Sequence, residues 1–224
     1  MGVSLQHAAP LYREPKGAAA RTRKLMIQTA VALMQKGETP SVSAAAEAAG
    51  VSRATAYRYF PSQTALVNAV VDEGLGPILS WDSDSTDAAA RVEDLLKFSL
   101  PRIVEFESTF KAALKLSLEQ WAQDRAGTRG EEPPFKRGHR VELLQRAIEP
   151  LRGQLNRAQF SRLAKALSLT YGLEVLIILT DLWGLKPAET QSVAIWAARA
   201  LVNAAISEAG LSLTQTAKKA RGVR

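Results

Sequence analysis

The chain has 224 residues, 46% hydrophobic and 23% charged, which is enough for one large or two small domains and too apolar for bulk disorder. It contains no cysteine, which excludes disulfides and thiolate chemistry and suits a reducing compartment. The formal charge of +7 is uneven: residues 1–80 carry eight basic and five acidic side chains, residues 81–217 seventeen of each, and the tail adds Lys218, Lys219, Arg221 and Arg224. A neutral middle between basic ends fits a polyanion-binding module at one or both ends, or a plain solubility surplus.

Residues 1–20 mix Pro10, Pro15 and Gly17 with scattered charges and read as a flexible basic arm. No secretory signal is expected there, because no basic segment leads into an apolar core, and Gln6 stands where a myristoylation motif requires Ser or Thr. From Arg21 apolar residues recur at helical spacing through Leu25, Met26, Ala30 and Met34, and Gly37 ends that helix. Ser41 or Ser43 can cap a second short helix through Ala49, Ser52 a third, and Pro61-Ser62 starts a fourth that carries Leu66, Val70 and Val71.

After the polar stretch Trp81–Asp87, in which Thr86 or Asp87 can cap the next helix, helical patterns resume over 92–106, 110–121 and 141–148. The Gly- and Pro-rich segment Asp124–Gly138 reads as a mobile loop, with Glu131 and Glu132 solvated in it. Two long helices, about 157–182 and 187–208, close the chain, with Pro187 suited to a first turn. The most strongly apolar run, Val175–Leu179, is far too short to span a bilayer, so a soluble protein without a membrane partner is expected. No strand-like alternation persists, and the expected class is all-α.

The segment from Ser41 to Phe60 has the parts of a helix-turn-helix: small Ala46 for close helix approach, Gly50 for a left-handed turn, Val51 as a plug and Ser52 as a cap. On the next helix Ala56 and Phe60 should face inward with the Tyr59 ring partly buried, leaving Arg53, Ala54, Thr55, Tyr57 and Arg58 outward. Arginine can donate twice to a guanine edge, threonine can meet a base edge or a thymine methyl, and tyrosine and the Ser52 hydroxyl can reach phosphate. A solvated surface helix has the same periodicity, but the small-residue turn and basic flanks favour DNA.

Residues Arg21–Leu66 resemble the DNA-binding domain of the tetracycline-repressor (TetR) family. The likeness rests on an Arg-rich first helix, on Ala46-Glu47-Ala48-Ala49-Gly50-Val51-Ser52, and on Thr55-Ala56-Tyr57-Arg58-Tyr59-Phe60-Pro61-Ser62. It implies an N-terminal three-helix helix-turn-helix domain over 21–66, a C-terminal helical ligand-binding and dimerisation domain over 67–210, and a basic tail over 211–224. It further implies phosphate contacts from Thr22, Arg23, Ser41, Ser43, Tyr57 and the Tyr59 hydroxyl, with Arg53, Thr55 and Arg58 near the bases. Three positions depart from the family pattern. Ala45 and Ala56 stand where larger aliphatics are usual, so the small core must be looser or packed by other neighbours, and Gln63 replaces a phosphate-binding lysine. The N-terminal arm, with Arg13, Lys16 and Arg21, is a candidate compensator.

The partners implied are double-stranded operator DNA, a second copy of the chain, and a small-molecule effector. The two last helices are apolar over more than one face, as expected of elements packing on their own domain and on a partner. Glu174 and Asp181 interrupt the first of them and are expected to pair with Arg199 or Arg162, or to line a cavity. Candidate effector-lining residues are Phe98, Phe106, Phe110, Leu114, Trp121, Leu144, Tyr171 and Trp183. No cofactor, metal cluster or enzymatic constellation is expected, since His7 and His139 are the only histidines and no phosphate loop follows a strand. The alternative function is a helical adaptor whose basic ends bind an acidic protein; it differs in showing no preference for duplex DNA. Location in the cytoplasm and action as a repressor complete the expectation.

Overall fold

In the computed structural model, which describes residues 17–135 and 138–211, every regular element is helical. The arm through residue 16, with His7, Arg13 and Lys16, and the basic tail from residue 212 lie outside the described residues. The first helix, α1 (Ala18–Gln35), starts three residues before Arg21 and buries Met26, Ile27, Ala30 and Met34 as one stripe. Then come α2 (Val42–Ala48), α3 (Arg53–Tyr59) and α4 (Gln63–Leu75). Three serines start them: Ser41, Ser52 and Ser62 each accept a hydrogen bond from a first-turn amide, of Ala44, Thr55 and Ala65.

The expected domain border at residue 66 falls inside α4. Leu66, Val67 and Val70 pack into the N-terminal core with Met26, Met34 and Phe60, while Leu75 packs against the larger core and Val71 touches both. A continuous helix therefore joins the two cores.

The larger core is built from α5 (Ala88–Glu105), α6 (Glu107–Ala126), α7 (His139–Ala147), α8 (Arg157–Leu167), α9 (Leu173–Leu176, running on as a π-helical turn Ile177–Leu182) and α10 (Pro187–Glu208). Asp87, not Thr86, caps α5 by accepting from the amides of Ala89 and Ala90. Pro101 sits inside α5, and Gln191 of α10 reaches the Lys97 carbonyl that the proline leaves without its helical donor (3.5 Å). Arg91, nearly buried, donates to the carbonyls of Ala147, Arg146, Ser83 and Ser85 and so pins the 81–87 loop to the end of α7.

The single helix expected over 157–182 is broken at 168–172. Ser168 Oγ donates to the Ala164 carbonyl and Thr170 Oγ1 to the Leu167 carbonyl, so side chains near the end of α8 bond to its last turn in competition with helix continuation. The α9 segment then restarts at Leu173 and α10 lies along α5.

In the segment expected to be a mobile loop, Asp124–Gly138, residues 132–135 are docked on α4 and α6. Glu132 Oε1 accepts the Thr64 amide at 2.7 Å, supplying a negative cap to the first turn of α4, and Thr64 Oγ1 donates to the Pro133 carbonyl at 2.8 Å. The buried Gln120 of α6 ties these together: its Nε2 donates to Thr64 Oγ1 and Pro133 O, and its Oε1 accepts the Phe135 amide. Glu132 is thus a structural cap and not a solvated acid. Among the described residues no helix is long and apolar enough to cross a membrane.

Candidate nucleic-acid interface and interior cavity

The bend between α2 and α3 is made by Gly50, which takes φ +64°, a left-handed conformation that glycine adopts without Cβ cost. Its amide bonds to the Glu47 carbonyl and the next amide, of Val51, to the Ala46 carbonyl, so the turn is closed by backbone bonds. Ala45, Ala46 and Ala56 are fully buried in one cluster with Met26, Met34, Phe60 and Leu66. The alanines at 45 and 56 therefore belong to a core whose bulk comes from these other side chains.

With Ala56, Tyr59 and Phe60 turned inward, Arg53, Ala54, Tyr57 and Arg58 stand exposed on the far side of α3 and Thr55 is half-buried beside them. Tyr59 is buried more deeply than its position suggests, at 8% exposure, with the Arg58 guanidinium 5.4 Å from its ring. Ser52 Oγ donates to Thr55 Oγ1 at 3.0 Å while accepting the Thr55 amide. Ser43 of α2 and Tyr57 of α3 meet at 3.3 Å through their hydroxyls, which places both on one face with Ser41 at its edge. Thr22 bonds back to the Ala18 carbonyl, and the Arg23 guanidinium lies 5.5 Å from the Phe60 ring centre. Gln63 donates to the Thr39 and Pro40 carbonyls, so it fastens the α1–α2 connection to the start of α4. That bonding explains what a glutamine does where the family pattern has a lysine.

Residues 27–70 match the family model for bacterial regulatory proteins of the tetR family. The segment is a tetR-family DNA-binding domain. With the bend at Gly50 and the exposed face of α3, this segment has the geometry of a DNA-binding helix-turn-helix. Among solved structures, a TetR transcriptional regulator from Rhodococcus sp. RHA1 is similar at 17% identity and TM-score 0.54, covering 83% of this chain and 97% of that one. A protein described as a TetR-family transcriptional regulator from Mesorhizobium loti MAFF303099 is similar at 16% identity and TM-score 0.51, covering 86% and 98%. At these identities the likeness concerns the fold. Comparison with curated proteins gives no significant match.

Behind the tetR-family domain, α4, α5, α6, α7 and the start of α9 line a partly open cavity of about 100 Å³. Of the residues expected to line it, Phe110, Leu114 and Tyr171 do. Phe98, Trp121 and Trp183 are 48%, 64% and 71% exposed and point away, because helical spacing alone does not say which face a neighbour covers. Leu144 is sealed in the core, and Phe106 packs outside the wall with the Arg102 guanidinium 4.6 Å from its ring. Sequence reasoning missed Asn68, Phe135, His139 and Arg140, which also line the cavity. Asn68 carried a usable signal, as a polar residue in the apolar run Leu66-Val67-Asn68-Ala69-Val70-Val71.

The charges in the wall are matched. Arg140 pairs with Glu174, and His139 Nε2 lies 2.9 Å from Asp72 Oδ1 on α4. The Asp72 hydrogen bond raises the His139 pKa against the opposing pull of burial. Burial likewise raises the Tyr171 phenol, with Ser99 and Arg140 acting the other way. Glu174 and Asp181 are both ion-paired as expected, but with Arg140 and Lys111; Arg199 and Arg162 pair with Glu93 and Glu208 instead. Among the described residues no group of three His, Asp or Glu side chains is placed to hold a metal ion.

Proposed function

We propose that the chain is a cytoplasmic repressor that binds operator DNA as a twofold dimer and lets go when a small molecule occupies the interior cavity. The observation that carries the reading is the outward face of α3. Arg53, Tyr57 and Arg58 stand free of the core on a helix held at a fixed angle by the Gly50 turn. In this reading α3 enters the major groove, with Arg53, Thr55 and Arg58 at base edges. Thr22, Arg23, Ser41, Ser43, Ser52, Tyr57 and Tyr59 serve the flanking phosphates, which set register and not sequence.

Dimerisation is supported by exposed apolar surface on the last helices. Val193 and Trp196 of α10 and Ile178, Leu182 and Trp183 of the π-helical turn are 41–78% exposed, and Ala200 and Ala204 continue the α10 stripe. A patch of this kind marks an interaction surface, and two half-sites need two copies.

The test is selection of bound duplexes from a random pool, with Arg53→Ala and Arg58→Ala then measured on the selected sequence. Each change should weaken specific binding by about 1–3 kcal/mol while leaving helicity and dimerisation intact. No enrichment of any duplex by the wild-type chain would remove the DNA reading and favour the acidic-partner adaptor.

A further inference from the structure

We propose that the cavity takes a compact, uncharged ligand, of about one ring, whose single polar head both donates and accepts a hydrogen bond, and that Asn68 on α4 is the residue that reads that head. The inference rests on the proposed effector role of the cavity and specifies its ligand.

Size comes first. A volume of about 100 Å³ is well under the roughly 300–1,000 Å³ of sites for drug-sized molecules and close to the roughly 150 Å³ cavity that holds benzene. The body of the ligand meets hydrocarbon, from Ile103, Phe110, Leu114, Leu143 and Leu173.

Charge comes next. Among the described residues, the two basic side chains in the wall already have carboxylate partners, Arg140 with Glu174 and His139 with Asp72. A ligand anion would compete with those carboxylates, and a ligand cation would find, among the described residues, no acid at the wall beyond these two paired ones while losing its water. A neutral head avoids both costs.

Polarity then singles out α4. Asn68 is half-buried in the wall, and its amide makes no hydrogen bond among the described residues, although it offers both a donor and an acceptor. Tyr171, also in the wall and 3% exposed, has a buried hydroxyl without a hydrogen-bond partner among the described residues; neighbouring Ser99 donates its own proton to the Leu95 carbonyl. A ligand head bonded to Asn68 engages the helix whose other residues, Leu66, Val67 and Val70, belong to the DNA-binding core. Four residues either side of Asn68, Thr64 and Asp72 hold the two ends of the 132–139 segment through Glu132 and His139. The ligand contact therefore sits at the middle of a helix shared by cavity and DNA head, as effector coupling requires.

The experiment is calorimetric titration of the full chain, without DNA, using four one-ring probes: benzamide, benzoate, benzylammonium and toluene. Benzamide should bind best, with each ion at least roughly tenfold weaker. Asn68→Leu should weaken benzamide at least roughly tenfold and leave toluene no weaker. Asn68→Asp, a near-isosteric change that keeps the fold if leucine does not, should shift preference from benzamide to benzylammonium. Preference of the wild type for either ion, indifference of benzamide binding to both Asn68 variants, or no binding by any probe would overturn the proposal. Adding benzamide to the chain on its selected duplex separates the two claims. Asn68-dependent binding that leaves the DNA complex intact keeps the ligand assignment and removes the effector reading.

Discussion

Replacing Gln120 by leucine isolates the node that fixes the 132–135 segment to α4. The side chain is 5% exposed and makes three hydrogen bonds, to Thr64 Oγ1 at 3.0 Å, Pro133 O at 3.2 Å and the Phe135 amide at 2.7 Å. Leucine has nearly the same volume, so the change removes polarity without leaving a large hole. The Pro133 carbonyl keeps its donor from Thr64, but the Phe135 N–H is stranded. Three bonds at about 1 kcal/mol net each amount to about 3 kcal/mol, and the added apolar burial of leucine returns about 1 kcal/mol. The expected net loss is about 2 kcal/mol, or about 4–8 °C in Tm for a chain of this size. Urea unfolding measures the loss. Trypsin cleavage after Arg129, whose side chain is otherwise held by Asp124, measures whether the loop has come away. A midpoint change worth under about 0.5 kcal/mol together with an unchanged cleavage rate would refute the assignment of this loop as docked. Because Thr64 shares the node, Thr64→Val combined with Gln120→Leu should cost less than the sum of the two single changes.

Other substitutions address different parts of the frame. At Gly76, φ is +45° and an added Cβ would lie 2.7 Å from Arg102 Nη2, in a guanidinium anchored on the Gly74 and Glu73 carbonyls; Gly76→Ala should cost about 1–3 kcal/mol by thermal unfolding. Gly50→Ala, with open space around its Cβ, carries backbone strain alone and should cost about 1 kcal/mol while weakening duplex binding through the altered bend. Arg91→Met leaves four carbonyls without their charged donor and should destabilise by about 2–4 kcal/mol, with the 81–87 loop the first segment to gain hydrogen exchange. The His139–Asp72 pair makes the link between α7 and α4 pH-dependent. His139 is raised above its ordinary 6.5 in the folded chain by Asp72, so the folded state holds the proton more tightly than the unfolded state. The pair's contribution is complete below about pH 6.5 and fades as pH rises through the folded value; Asp72→Asn should lower the His139 pKa seen by NMR and flatten that dependence.

Local chemistry was enough to read the DNA-binding end. Three capping serines, glycines at the left-handed positions 37 and 50 and apolar stripes on short helices are each specified within a few residues, so Gly50, Ser52, Ala56 and Phe60 took the places their spacing implies. The sequence also sufficed for the all-α class, since no two-residue alternation competes with the helical period. What tertiary structure decided was which side of each longer helix faces inward, and which distant groups meet. Phe98, Trp121 and Trp183 have the same period as Phe110 and Tyr171, yet only the latter two reach the cavity, because a helix's covered face depends on neighbours far along the chain. Ion pairs such as Arg140 with Glu174, the capture of Glu132 by Thr64, and the break after Leu167 likewise turn on contacts across 34 or 68 residues or on side chains outcompeting a helix. Periodicity encodes the secondary structure of this protein; the pairing of remote polar groups, which only packing can bring within reach, fixes its cavity and the way α4 joins the two cores.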